Sequence, residues 1–173
     1  MKIMIGCSSR NEIDSKYFEL AKSIAKKCNC MGYELCFGAA STGMMGECAT
    51  NMDTVYSYTV AKYVDDLKNI KSKDEFVLDT TFDRTKGLFN DSDLIVLLPG
   101  GTGTLAEVFG ILEENRSIDN PKLVILVNYE GYYNPIINMI DKCVEQNFNS
   151  FNIYDYIKIV ETEDELFEII KSV

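Results

Sequence analysis

Two stretches of this chain are apolar at every position: Leu-Ile-Val-Leu-Leu from Leu94 to Leu98, and Leu-Val-Ile-Leu-Val from Leu123 to Val127. A strand with one wet face alternates polar and apolar residues. A strand without that alternation needs cover on both faces, as helices supply over a parallel sheet. Further strands are expected at Ile3–Ile5, Glu34–Phe37, Thr59–Tyr63, Phe76–Leu78 and Ile157–Val160. Helical spacing fills the gaps between them. Tyr17, Phe18, Ala21, Ile24, Ala25 and Cys28 share one face of a helix capped by Asp14 or Ser15. Cys28-Asn-Cys30 reads as its end, because a structural zinc site wants four ligands. Asn134-Pro135 reads as the cap and first residue of another helix. Thr162-Glu-Asp-Glu165 reads as the capping box of the last. The expected fold is therefore α/β: a Rossmann-like, doubly wound, mainly parallel sheet flanked by helices, in one domain over residues 1–173.

The composition removes several kinds of chemistry. The chain has no histidine. Ser-His-Asp, Cys-His and His-metal sites are excluded, and an acid or base here must be a carboxylate, Lys, Tyr or Cys. A net charge of -10 argues against a nucleic-acid surface, which wants a basic stripe. No apolar run approaches the roughly 18 residues of a membrane span. The start, MKIMIGCSS, reads as a first strand rather than a signal peptide. The six cysteines suit a reduced cytoplasm better than a disulfide framework.

In such a sheet ligands bind beyond the carboxyl ends of the strands. The loops to watch are Gly6–Ser9, Gly38–Gly46, Asp79–Arg84 and Pro99–Thr104. Gly100, Gly101, Thr102, Gly103 and Thr104 bring backbone amides and two hydroxyls to a helix start, which suits a phosphate; the plain structural alternative is a tight turn. The loop is neither a dinucleotide fingerprint nor a P-loop. Gly38 to Gly46, with Gly43 and Met45, forms a second glycine-punctuated turn, where Met44 and Met45 also read as core filler. Ser8 follows the first strand and reads as a ligand contact or a cap. On spacing alone, Thr104-Leu-Ala-Glu107 is a capping box. Glu107 is free to face a cleft only if the helix starts earlier, near Thr102. Arg84 taken alone is a surface residue paired with an acid.

Taken together, Arg84, Pro99–Glu107 and Gly38–Gly46 resemble the Lonely Guy (LOG) family of cytokinin riboside 5′-monophosphate phosphoribohydrolases, often labelled lysine decarboxylases. The resemblance runs over nearly the whole chain, to Gly131-Tyr-Tyr-Asn-Pro and Ile140–Phe148. Its most specific part, PGGxGTxxE, is complete as Pro99 to Glu107. The family's GGGxxGLMG is written here GAASTGMMG, with Ala39 and Ala40 in place of two glycines. Its His before an Arg-Lys pair is lost, and Lys86 is displaced by one position. The match is poor from Val55 to Lys73. The resemblance implies a nucleotide-binding domain that hydrolyses the N-glycosidic bond of a purine nucleoside 5′-monophosphate, AMP-like or cytokinin, giving free base and ribose 5-phosphate. It implies Arg84 and Glu107 as catalytic residues, with Ser8, Gly38, Gly43, Met45 and Gly100 to Thr104 binding substrate. It implies no metal or organic cofactor, and a homodimer. The alternative is a non-catalytic nucleotide or cofactor carrier of the same fold. A dinucleotide-dependent oxidoreductase is disfavoured, because Gly6-Cys-Ser-Ser-Arg-Asn lacks the fingerprint after the first strand.

Overall fold

The computed structural model describes residues 1–172. Seven strands form one sheet: β1 (Lys2–Gly6), β2 (Glu34–Phe37), β3 (Val55–Val60), β4 (Asp74–Leu78), β5 (Leu94–Leu97), β6 (Leu123–Val127) and β7 (Lys158–Val160). Their order is β4-β3-β2-β1-β5-β6-β7, and every pairing is parallel. The winding reverses between β1 and β5, so the loops after these two strands diverge and open a crevice.

Six α-helices flank the sheet: α1 (Ser15–Cys30), α2 (Gly43–Thr50), α3 (Thr81–Asp91), α4 (Thr102–Ser117), α5 (Asn134–Glu145) and α6 (Glu163–Lys171). They cover both faces, as the unalternated strands demand. On one face Ile3, Ile5 and Val96 pack with Leu20, Ala21 and Ile24 of α1 and Leu166 and Phe167 of α6. On the other, Met4, Ile95 and Leu97 pack with Leu88 of α3, Val108 and Ile111 of α4 and Ile137 of α5.

The structure bears out the helix ends expected around Asp14 and Thr162. The Asp14 carboxylate accepts from the Lys16 amide, and Thr162 with Glu165 forms a reciprocal capping box. The helix around Pro135 starts one residue early, with Tyr133 as its cap. The strand expected at Thr59–Tyr63 runs instead from Val55 to Val60. Ser57 and Thr59 are fully buried in it, and Ser57 is satisfied by the Ser72 hydroxyl at 2.6 Å. Polar residues in a doubly covered strand hide the apolar pattern that marks its neighbours. Beyond β3 the chain turns into a 3-10 segment, Ala61–Asn69.

Candidate functional site

Loops after β1, β2 and β5, the start of α3 and the segment after β3 meet over the β1–β5 switch point and line a cavity of about 460 Å³. The loop after β5 supplies Gly101 to Thr104, and the loop after β1 supplies Cys7 to Arg10. The loop after β2 brings Gly38 and Met45, and α3, after β4, brings Thr81 and Arg84.

The helix start decides how Glu107 is used. α4 begins at Thr102 with Gly101 as cap, and no side chain caps it. The first helical bond runs from the Leu105 amide to the Gly101 carbonyl. The amides of Thr102, Gly103 and Thr104 therefore have no acceptor inside the helix. The capping box expected at Thr104–Glu107 does not form. Thr104 is committed elsewhere: its hydroxyl donates to the Cys7 carbonyl at 3.1 Å. Gly100 makes that possible, since a Cβ there would lie 2.1 Å from the Thr104 hydroxyl oxygen. With the helix begun three residues early, Glu107 turns inward and is only 2% exposed.

Glu107 meets Arg84 there. The guanidinium Nη2 donates to Glu107 Oε1 at 3.1 Å. Oε2 and the Arg84 Nε are buried and take no partner from the protein. Gly6 lets the carboxylate sit so deep; a Cβ on it would fall 2.9 Å from Oε2. Burial pushes Glu107 up to about 7, although the Arg84 charge pulls the other way. Arg84 itself stands on the first turn of α3, not in a loop. That turn is fixed by a reciprocal capping box between Thr80 and Asp83. Gly38 lies against the guanidinium: a Cβ there would be 3.6 Å from Nη1.

The other residues singled out in the sequence divide. Gly38, Met45, Ser8, Gly101, Thr102, Gly103 and Thr104 line the cavity. The Ser8 hydroxyl accepts from the Arg10 amide, and the Ser8 carbonyl accepts from the Met45 amide. Gly43 and Gly100 are not in the lining. Gly43 has a φ of +64° and packs on the Ser9–Arg10 backbone, where a Cβ would meet Ser9 C at 2.4 Å. It joins the first two loops, as Gly100 seats Thr104. By contrast, a Cβ on Gly101 or Gly103 would meet nothing within 4 Å.

Sequence reasoning missed three groups. Arg10, Tyr63 and Asp66 line the cavity, and none lies in a motif. Tyr132 and Tyr133 donate to the Gly100 and Leu98 carbonyls, each at 2.6 Å; the Gly131-Tyr-Tyr-Asn stretch carried the available signal. The third is Cys7. A hydrogen bond with Cys48 and burial hold its thiol well above the ordinary range, so it stays protonated and is a poor nucleophile. Among the described residues no cluster of metal-ligating side chains occurs. Among them, too, no helix is long and apolar enough to cross a membrane.

The model of the family described as "possible lysine decarboxylase" matches residues 37–170. A probable cytokinin riboside 5′-monophosphate phosphoribohydrolase of Oryza sativa subsp. japonica is 26% identical over 172 residues, covering 96% of this chain and 70% of the relative. A cytokinin riboside 5′-monophosphate phosphoribohydrolase of Arabidopsis thaliana is 27% identical over 170 residues, covering 95% and 79%. Among solved structures, the molybdenum cofactor carrier protein of Chlamydomonas reinhardtii superposes with a TM-score of 0.70 at 15% identity, covering 99% of this chain and 96% of that one. Identity that low speaks for the fold alone.

Proposed function

The chain belongs to the family described as possible lysine decarboxylase, the LOG family, and we propose that it hydrolyses the N-glycosidic bond of a purine nucleoside 5′-monophosphate. One observation carries the proposal. A buried carboxylate, Glu107, is held by Arg84 in the wall of a cavity whose floor is the open start of α4. The free amides of Thr102, Gly103 and Thr104, at the positive end of α4, suit the 5′-phosphate. Glu107 lies one helical turn past Thr104 and meets the ribose at C1′. Cleavage there passes through an oxocarbenium-like ribose. Ionised Glu107 stabilises that charge and orients or deprotonates the attacking water. Arg84 keeps part of the Glu107 population ionised inside a buried site, and its remaining N–H groups face the ribose hydroxyls or the departing base.

The decarboxylase in the family's description finds no support in this cavity. Such chemistry runs through a cofactor bound to a lysine, and no lysine is in the lining. In this proposal the protein is a cytoplasmic homodimer that needs no metal or organic cofactor. A carrier of the same fold is the competing reading. Incubation with AMP separates the two. We expect adenine and ribose 5-phosphate in equal amounts by chromatography, whereas a carrier returns AMP intact.

A further inference from the structure

Two residues of the cavity have no part in that reaction. Tyr63 and Asp66 both lie on the 3-10 segment Ala61–Asn69 that follows β3. It falls within Val55–Lys73, where the resemblance to the family's sequence is poor. Tyr63 is 45% exposed, with the Lys62 ammonium 5.4 Å from its ring centroid. Asp66 is half-buried, and among the described residues its carboxylate makes no ion pair or hydrogen bond. The two arginines of the cavity are already matched, Arg84 by Glu107 at 3.1 Å and Arg10 by Glu12 at 3.1 Å. Asp66 is thus an acceptor without a protein donor, one turn along the same segment from a partly exposed aromatic ring.

The sheet says what reaches them. Along the order β3-β2-β1-β5, the end of β3 stands three strand steps from the end of β5. At about 4.8 Å a step that is about 14 Å, of the order of an extended purine nucleotide. With the phosphate on the start of α4 and C1′ at Glu107, as the proposed reaction requires, the base is carried toward β3. We propose that Tyr63 and Asp66 form the base subsite. Tyr63 lies against the face of the base, and Asp66 selects purines by an amino group on their outer edge. An ionised carboxylate only accepts hydrogen bonds. The 6-amino group of adenine donates one. The 6-carbonyl of hypoxanthine, in the same place, turns an acceptor toward the carboxylate.

This inference rests on the phosphoribohydrolase reading for the placement of ribose and phosphate, so binding and turnover are tested separately. Binding is measured by calorimetry in the Glu107→Gln protein, which should hold nucleotide without cleaving it, using AMP, IMP and ribose 5-phosphate. A hydrogen bond to a charged acceptor predicts that AMP binds about 10- to 100-fold more tightly than IMP. Adding Asp66→Asn should bring the two within about threefold, because an amide donates as well as accepts. Adding Tyr63→Ala should weaken both nucleotides about tenfold, the loss expected for one stacked base. Ribose 5-phosphate, which has no base, should bind all three proteins alike. Equal affinity for AMP and IMP, or a preference that survives Asp66→Asn, overturns the base subsite. Base release by the wild-type enzyme decides the reaction independently: an Asp66-dependent preference without release leaves the subsite standing and removes the hydrolase. Release from AMP and IMP at rates that ignore Asp66 does the reverse.

Discussion

Glu107 and Arg84 are 3.1 Å apart, at 2% and 13% side-chain exposure. A pair so buried loses hydration on both partners, and the attraction between them need not restore it. Here burial outweighs Arg84, and the carboxyl titrates near 7. Burial therefore holds the proton on Glu107 to a much higher pH than on a free carboxylate. If the reaction needs the ionised form, kcat/KM should rise with pH and level off above about 7. Arg84→Gln removes the positive charge that pulls Glu107 down, so the same limb should move to higher pH as the rate falls. A limb near the ordinary carboxylate range, or one that ignores Arg84, would remove Glu107 from the rate. Glu107→Gln should cost at least roughly a hundredfold in kcat. The folded protein also holds the Glu107 proton more tightly than the unfolded chain does. Its contribution to stability thus falls as pH rises from 4.5 to about 7 and is level beyond. The full drop is about 3 kcal/mol. Urea denaturation should show the stability of Glu107→Gln gaining on the wild type by up to that amount across this range.

The turn from β5 into α4 is held from below and from the side. Thr104 ties the first turn of α4 to the Cys7 carbonyl. Tyr132 and Tyr133 donate to the Gly100 and Leu98 carbonyls. Burial keeps the Tyr133 phenol protonated and therefore a donor. Tyr132→Phe removes one hydrogen bond and keeps the ring. The loss of about 1 kcal/mol should raise KM for AMP about fivefold and leave KM for adenosine unchanged, because only AMP uses the turn's amides. A parallel rise for both would make Tyr132 a general packing residue. This element also marks the limit of what local sequence can show. The apolar β5 and the glycines after it signal a strand-to-helix turn, and both lie where expected. The helix start does not follow from local spacing: Thr104 and Glu107 have capping-box residues, yet Thr104 bonds to a residue 97 positions away. Tyr132 and Asp66 are hidden for the same reason. Their roles come from loops that only the assembled sheet brings together.

At the scale of the molecule, the proposed reading puts the phosphate at the start of α4 and the base toward β3, on opposite sides of Glu107. The net charge of -10 gives no general attraction for a nucleotide, so the proposed phosphate binding rests on local groups: the free amides and dipole of α4 and the arginines of the cavity. A phosphate held there never reacts, but it fixes C1′ against Glu107, and such remote binding appears in kcat as well as KM. Adenosine should therefore be a far poorer substrate than AMP in both parameters. Gly101 supplies the control. Its backbone is extended, with φ at -80°, and a Cβ on it would meet no atom within 4 Å. Gly101→Val therefore places a branched side chain in the cavity without disturbing the fold. It should bring AMP down toward the level of adenosine while leaving adenosine turnover and the melting temperature unchanged. Competition by ribose 5-phosphate should disappear with it. Equal kcat/KM for AMP and adenosine in the wild type would make the loop a structural turn and the protein a plain nucleosidase. A Gly101→Val protein that still prefers AMP would move the phosphate away from α4.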